Sequence, residues 1–200
     1  MDAAERVFFS KGFHATMEEI AAEARLGKGT IYLYFPGKED IYLALMCKGL
    51  DILGGLFRGI ADGPGSVVDK ALGIGREFVR FHDDFPDFFK ILHETPIPMA
   101  DGQISPDMLE TLHKSSAGIW EVLTGMLQEG IDQDVFRSDI SAFEMAVILW
   151  TNTSGLLRQI DIMKSTSLWS SNRSVYSLRT LGFERLISAS RTMLLDALMK

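Results

Sequence analysis

Apolar residues along this chain recur at helical spacing, and no convincing stretch alternates in the manner of a strand. Ala4, Val7 and Phe8 predict the inner face of a helix over Asp2–Lys11, which Gly12 ends. Met17, Ile20, Ala21 and Ala24 form the stripe of a second, short helix, and Ile31, Tyr34 and Phe35 that of a third over Lys28–Phe35. Pro36-Gly37 breaks the third helix, and Lys38 opens a longer one that runs to about Ile60. Ala61-Asp62-Gly63-Pro64-Gly65 is the clearest breakpoint. Beyond it the pattern predicts helices over Val67–His82 and from Phe85 to about Glu94, then loop at Thr95–Pro98 and Asp101–Gly102. Ser105-Pro106-Asp107 opens a long helix to about Gly130, with serine as cap and proline in the first turn. A turn over Asp132–Arg137, a very apolar helix over Asp139–Met163, a polar loop over Ser165–Ser174 and a last helix over Ser177–Met199 complete an all-α chain.

The second and third helices carry the chemistry. Thr16 can cap the second, and Glu19 three residues later completes a capping box. After Ala24 the chain turns through Arg25, Leu26 and Gly27. Two helices of about two turns each, joined by a short turn, describe a helix-turn-helix. A third helix this short gains little from packing. Its outer face, with Lys28, Thr30 and Tyr32, is suited to entering a DNA major groove.

Ala4-Glu5-Arg6-Val7-Phe8, Lys11-Gly12-Phe13, Thr16, Ile20-Ala21, Gly29-Thr30-Ile31-Tyr32, Tyr34-Phe35 and Lys38-Glu39 together resemble the DNA-binding domain of the TetR/AcrR family of bacterial transcriptional regulators. The match runs from about residue 2 to 48. The resemblance implies nine helices, with a DNA-binding domain at 1–48 and a helical effector-binding and dimerisation domain at 49–200. It implies that Lys28, Thr30, Tyr32 and Lys38 face DNA; Thr16, Arg25, Gly29 and Tyr34 complete the candidate surface. It further implies that the last two helices pair with those of a second subunit. Such a homodimer presents two reading heads to a palindromic double-stranded operator, with half-sites about 34 Å or a multiple apart. A small hydrophobic effector would shift the helix starting at Lys38 and release the operator, as in a repressor. The turn departs from the family pattern, which favours glycine where Arg25 stands and serine or threonine where Gly27 stands. Arg25 in a left-handed conformation costs roughly 1 kcal/mol relative to glycine.

Charge runs against the usual sign for a DNA binder. The chain carries a net −7, and residues 1–50 hold six basic and seven acidic side chains. What counts is the local face, where Arg25, Lys28 and Lys38 cluster. Family members often carry a basic arm before the first helix; here the sequence starts almost at that helix. No apolar run is long enough for a membrane span, and no secretory signal precedes the first helix. The single cysteine, Cys47, fits a reducing cytoplasm and a buried place in a helix.

The remaining aromatics suggest an effector cavity. Phe81, His82, Phe85, Phe89, His93, Trp120, Leu123, Met126, Trp150 and Asn152 are candidate linings, since ligand pockets are mostly apolar with a few placed polar groups. Aromatics at helical spacing serve equally well as core. A helical metal enzyme is the alternative class. A di-iron bundle needs two Glu-x-x-His motifs, and only Glu110-Thr-Leu-His113 occurs. His82-Asp83-Asp84, at a helix end, is expected to be a solvated turn. No nucleophile motif or glycine-rich phosphate loop is present, so the sequence predicts no enzyme, no metal and no cofactor. A third class, a helical coregulator that binds protein and not DNA, is consistent with the acidic surroundings of the motif.

Overall fold

The structure, a computed structural model, describes residues 1–93, 104–165 and 182–200. These contain nine α-helices and no strand: α1 (Asp2–Lys11), α2 (Met17–Ala24), α3 (Lys28–Tyr32), α4 (Lys38–Ala61), α5 (Val67–Asp84), α6 (Pro86–His93), α7 (Pro106–Asp132), α8 (Ala142–Ser165) and α9 (Phe183–Leu198), with a 3₁₀ turn at Gly12–His14. One isolated antiparallel bridge joins Phe136 to Met199. The loops expected at 95–98 and 101–102, most of the polar loop to Ser174, and the start of the last helix at Ser177 lie outside the described residues.

Several helix ends differ from the sequence expectation for local reasons. α3 closes at Tyr32, three residues early, although the Tyr34 and Phe35 N–H groups still bond the Ile31 carbonyl. α8 starts at Ala142 because Ser141 and Glu144 form a reciprocal cap: the Glu144 N–H donates to Ser141 Oγ at 3.2 Å and the Ser141 N–H donates to Glu144 Oε2 at 2.9 Å. α5 runs through Asp84 instead of ending at His82. His82 is buried, not a solvated turn residue. Its Nδ1 lies 2.8 Å from Asp83 Oδ1 and its Nε2 2.8 Å from Asp161 Oδ2, which ties α5 to α8.

The chain forms two compact units. The first comprises Met1–Gly54 and Phe85–Ile119. Its core holds Phe8, Ile20, Ile31, Ile41, Tyr42 and Leu45, with Phe13 packed edge-on to Tyr42. The inner stripes of α1, α2 and α3 thus all bury on the start of α4, which fixes the geometry of so short a third helix. Truncating Phe8, almost fully buried there, should cost about 3–5 kcal/mol. Asp40, in the first turn of α4, is buried and accepts hydrogen bonds from the Ser105 N–H at 3.1 Å and from its hydroxyl.

The second unit comprises Gly55–Asp84 and Trp120–Lys200. There α5, α8 and α9 pack on one another. Phe78 meets Phe57 edge-on and stacks on Trp150, which in turn touches Trp120. α8 leaves Phe143, Val147 and Ile148 exposed, and α9 leaves Met193 72% exposed. No helix among the described residues is long and apolar enough to cross a membrane.

Candidate functional site

The reading head is built by the capping box and the turn. The Glu19 N–H donates to Thr16 Oγ1 at 3.3 Å, and the Thr16 N–H donates to Glu19 Oε2 at 3.1 Å. The Thr16 side chain is therefore engaged in starting α2. At the other end of α2, Arg25 adopts φ 54°, ψ 38°, a left-handed conformation. Its N–H closes back on the α2 carbonyls, and Gly27 serves as the N-cap of α3. The turn thereby aims the exposed face of α3 outward, carrying Lys28, Gly29, Thr30 and Tyr32. Only Ile31 of α3 is buried. Leu33 is 83% and Tyr34 77% exposed, an apolar display that a solubilising surface would not need.

The cations of this head are mostly engaged. Lys28 pairs with Glu18 and lies over the Tyr32 ring at 5.5 Å. The hydrogen bond raises the lysine pKa and lowers that of the glutamate. Arg6 pairs with Glu23 and Lys11 with Glu19, both at 2.6 Å, and Lys48 pairs with Glu5. Lys38 donates to the Phe13 carbonyl at 2.9 Å with its ammonium over the Phe13 ring, so it anchors α4 to the turn after α1. Arg25 makes no ion pair among the described residues, and its guanidinium is the least committed positive charge of the head.

The second unit holds an apolar cavity of about 80 Å³, inside a larger void of about 830 Å³ that includes its open mouth. Residues of α4, α5, α7, α8 and α9 line it, among them Phe57, Phe78, Leu123, Met126, Trp150 and Leu194. Of the sequence-predicted lining residues, the structure brings Leu123, Met126 and Trp150 together on this wall. Trp120 lies one ring behind, against Trp150 and Phe143. Phe81 is core and His82 is the bridge to Asp161. Phe85, Phe89 and His93 fall in the first unit, where Phe89 and His93 face each other at 4.5 Å. Asn152 is exposed and its amide donates to the Ile148 carbonyl. Sequence reasoning missed Gly75 and the α9 residues Ile187, Ser190, Arg191 and Leu194. A glycine on the α5 stripe and a lone cation beside the apolar stripe of the last helix were the available signals. Among the described residues no cluster of three or more His, Cys, Asp or Glu could hold a metal ion. The Cys47 thiol is buried and burial pushes its pKa up.

The described residues thus join a capped helix-turn-helix at one end of the chain to later helices that enclose an apolar cavity. Residues 1–45 match the profile of a family described as bacterial regulatory proteins, tetR family. The chain is 33% identical over 91 residues to the uncharacterised HTH-type transcriptional regulator YuxN of Bacillus subtilis (strain 168). That alignment spans 42% of this chain but only 31% of YuxN. It is 26% identical over 142 residues, 70% of each chain, to the fatty acid metabolism regulator protein of the same organism. The structure of FadR from Bacillus subtilis in complex with stearoyl-CoA superposes with a TM-score of 0.73 at 16% identity, covering 98% of this chain and 96% of that one. The N-terminal domain, residues 1–45, is thus of the tetR family of bacterial regulatory proteins, and the fold of the chain is that of the solved regulator.

Proposed function

We propose that the chain is a dimeric repressor that reads a palindromic operator through α3 and releases it when a molecule with an acyl chain enters the cavity of the second unit. The observation that carries this reading is the cavity wall, formed by five helices and almost wholly apolar. Similarity to a fatty acid metabolism regulator, and to a FadR structure holding stearoyl-CoA, supports the same ligand class. Phe57 on that wall belongs to the helix that begins at Lys38, so α4 offers a continuous path from ligand to head. A tenfold loss of operator affinity requires about 1.4 kcal/mol of coupling, an ordinary value. The exposed Phe143, Val147, Ile148 and Met193 supply apolar surface for a second copy. On this reading 1–48 acts as the head and 49–200 as the sensor, in the cytoplasm.

The experiment is binding of the purified protein to its own upstream promoter DNA in a salt titration, without and with stearoyl-CoA. Selective binding of two subunits per palindrome, weakened by the acyl-CoA, is expected. Binding indifferent to sequence would overturn the repressor reading, and a monomer in sedimentation at micromolar concentration would overturn the dimer. The engagement of Arg6, Lys11, Lys28 and Lys48 by glutamates favours one second reading, a coregulator that binds protein through its helices. Failure to bind any promoter fragment at low salt would select it.

A further inference from the structure

The cavity has one charged residue on its wall, Arg191 of α9. A guanidinium is always protonated, and withdrawing it from water is unfavourable unless an anion meets it. Arg191 is half-buried and makes no ion pair among the described residues. Several carboxylates of α5 and α8 have partners of their own. Glu77 and Asp84 turn to Arg80, Asp83 and Asp161 to His82, and Glu144 to the cap of α8. The place of the arginine is prepared by α5. A Cβ at Gly75 would stand 3.7 Å from Arg191 Cδ and 4.0 Å from Cγ, so the stem of the arginine lies across the bare backbone of Gly75. The stem joins the apolar wall and the residue as a whole is only half-buried, in the manner of long cationic side chains that keep their charge near water. Two hydroxyls, Thr153 and Ser190, and the indole N–H of Trp150 are the other side-chain polar groups of the wall.

We infer that Arg191 receives the anionic end of the effector and makes the cavity selective for amphipathic anions over neutral molecules with the same apolar body. The inference rests on the effector reading above. Its ligand chemistry is an acyl chain ending in an anion, which a free carboxylate and the phosphates of a CoA thioester both supply. The test is quenching of tryptophan fluorescence, with Trp150 on the wall as reporter, by decanoate, decanoyl-CoA and decanol below their aggregation limits. Wild type should bind at least one of the two anions about tenfold more tightly than decanol. Arg191→Met should remove that preference and leave decanol affinity within about twofold, and Arg191→Lys should restore part of it. The anion whose affinity falls in Arg191→Met identifies the source of the charge. Equal binding of all three ligands by wild type, or an Arg191→Met variant that keeps the preference or loses all three equally, overturns the inference and leaves the cavity reading standing. Binding of none of the three overturns both.

Discussion

Replacing Arg25 by glycine separates the conformational role of the turn from its electrostatic one. Arg25 holds φ 54°, ψ 38°, where a side chain costs roughly 1–2 kcal/mol and glycine nothing. Glycine in turn has more freedom to lose from the unfolded chain, worth about 0.4–1 kcal/mol. The difference leaves the variant between unchanged and about 1.6 kcal/mol more stable, a rise in Tm of at most about 3–6 °C for a chain of this size. The same substitution removes a positive charge of the head that has no ion pair among the described residues. If Arg25 neutralises one phosphate per subunit, the slope of log affinity against log salt falls by about 0.9 for each head. Thermal unfolding and fluorescence anisotropy on promoter DNA between 50 and 200 mM salt read the two effects separately. Arg25→Ala is the control, since it loses the charge and keeps the strain. A Tm drop in Arg25→Gly would refute the strain argument. An unchanged salt slope in both variants would refute the phosphate contact.

Glu18→Gln frees Lys28 from its ion pair and should tighten operator binding, whereas Lys28→Ala should relax discrimination about ten- to a hundredfold at one base pair, read by competition with operator variants. Gly12 sits at φ 57°, ψ −148°, a region essentially restricted to glycine, so Gly12→Ala should lower stability by about 1–3 kcal/mol in chemical denaturation. Ser141→Ala removes the cap of α8 and should cost about 0.5–2 kcal/mol. The hydrogen bonds from the Ser141 hydroxyl and backbone hold the Glu144 pKa below its ordinary value. That contribution is present above about pH 4.3 and is lost as pH falls through the depressed folded value, so Ser141→Ala should also flatten the acid limb of stability.

The head was legible because its determinants are local. Thr16 and Glu19 are three residues apart, Gly12 and Arg25 sit at helix ends, and the stripes of α1 and α2 have helical spacing, so the capping box and the left-handed turn could be read directly. What could not be read depends on contacts far along the chain. Nothing near Lys28 or Lys38 in sequence says that Glu18 or the Phe13 carbonyl will engage them. The cavity was legible in kind but only partly in detail. Leu123, Met126 and Trp150 lie on its wall, whereas Phe85, Phe89 and His93 have the same aromatic character and pack in the other unit. Composition distinguishes neither case. The early start expected for α8 had a simpler cause, an unread Ser141-x-x-Glu144 cap.

The glutamates that hold Arg6, Lys11, Lys28 and Lys48 also bear on how a regulator finds its site on a chromosome. Random DNA attracts proteins almost wholly through phosphate neutralisation, and a genome offers about 10⁶–10⁹ such competing sites. A head with four of its cations already paired would gain less there. It would spend less of its time parked on irrelevant sequence, and a larger share of the molecules would stay in solution. Only a sequence that rewards the exposed face of α3 with base contacts would retain it. Occupancy of the operator would then depend on the quality of the match more than on the abundance of DNA around it.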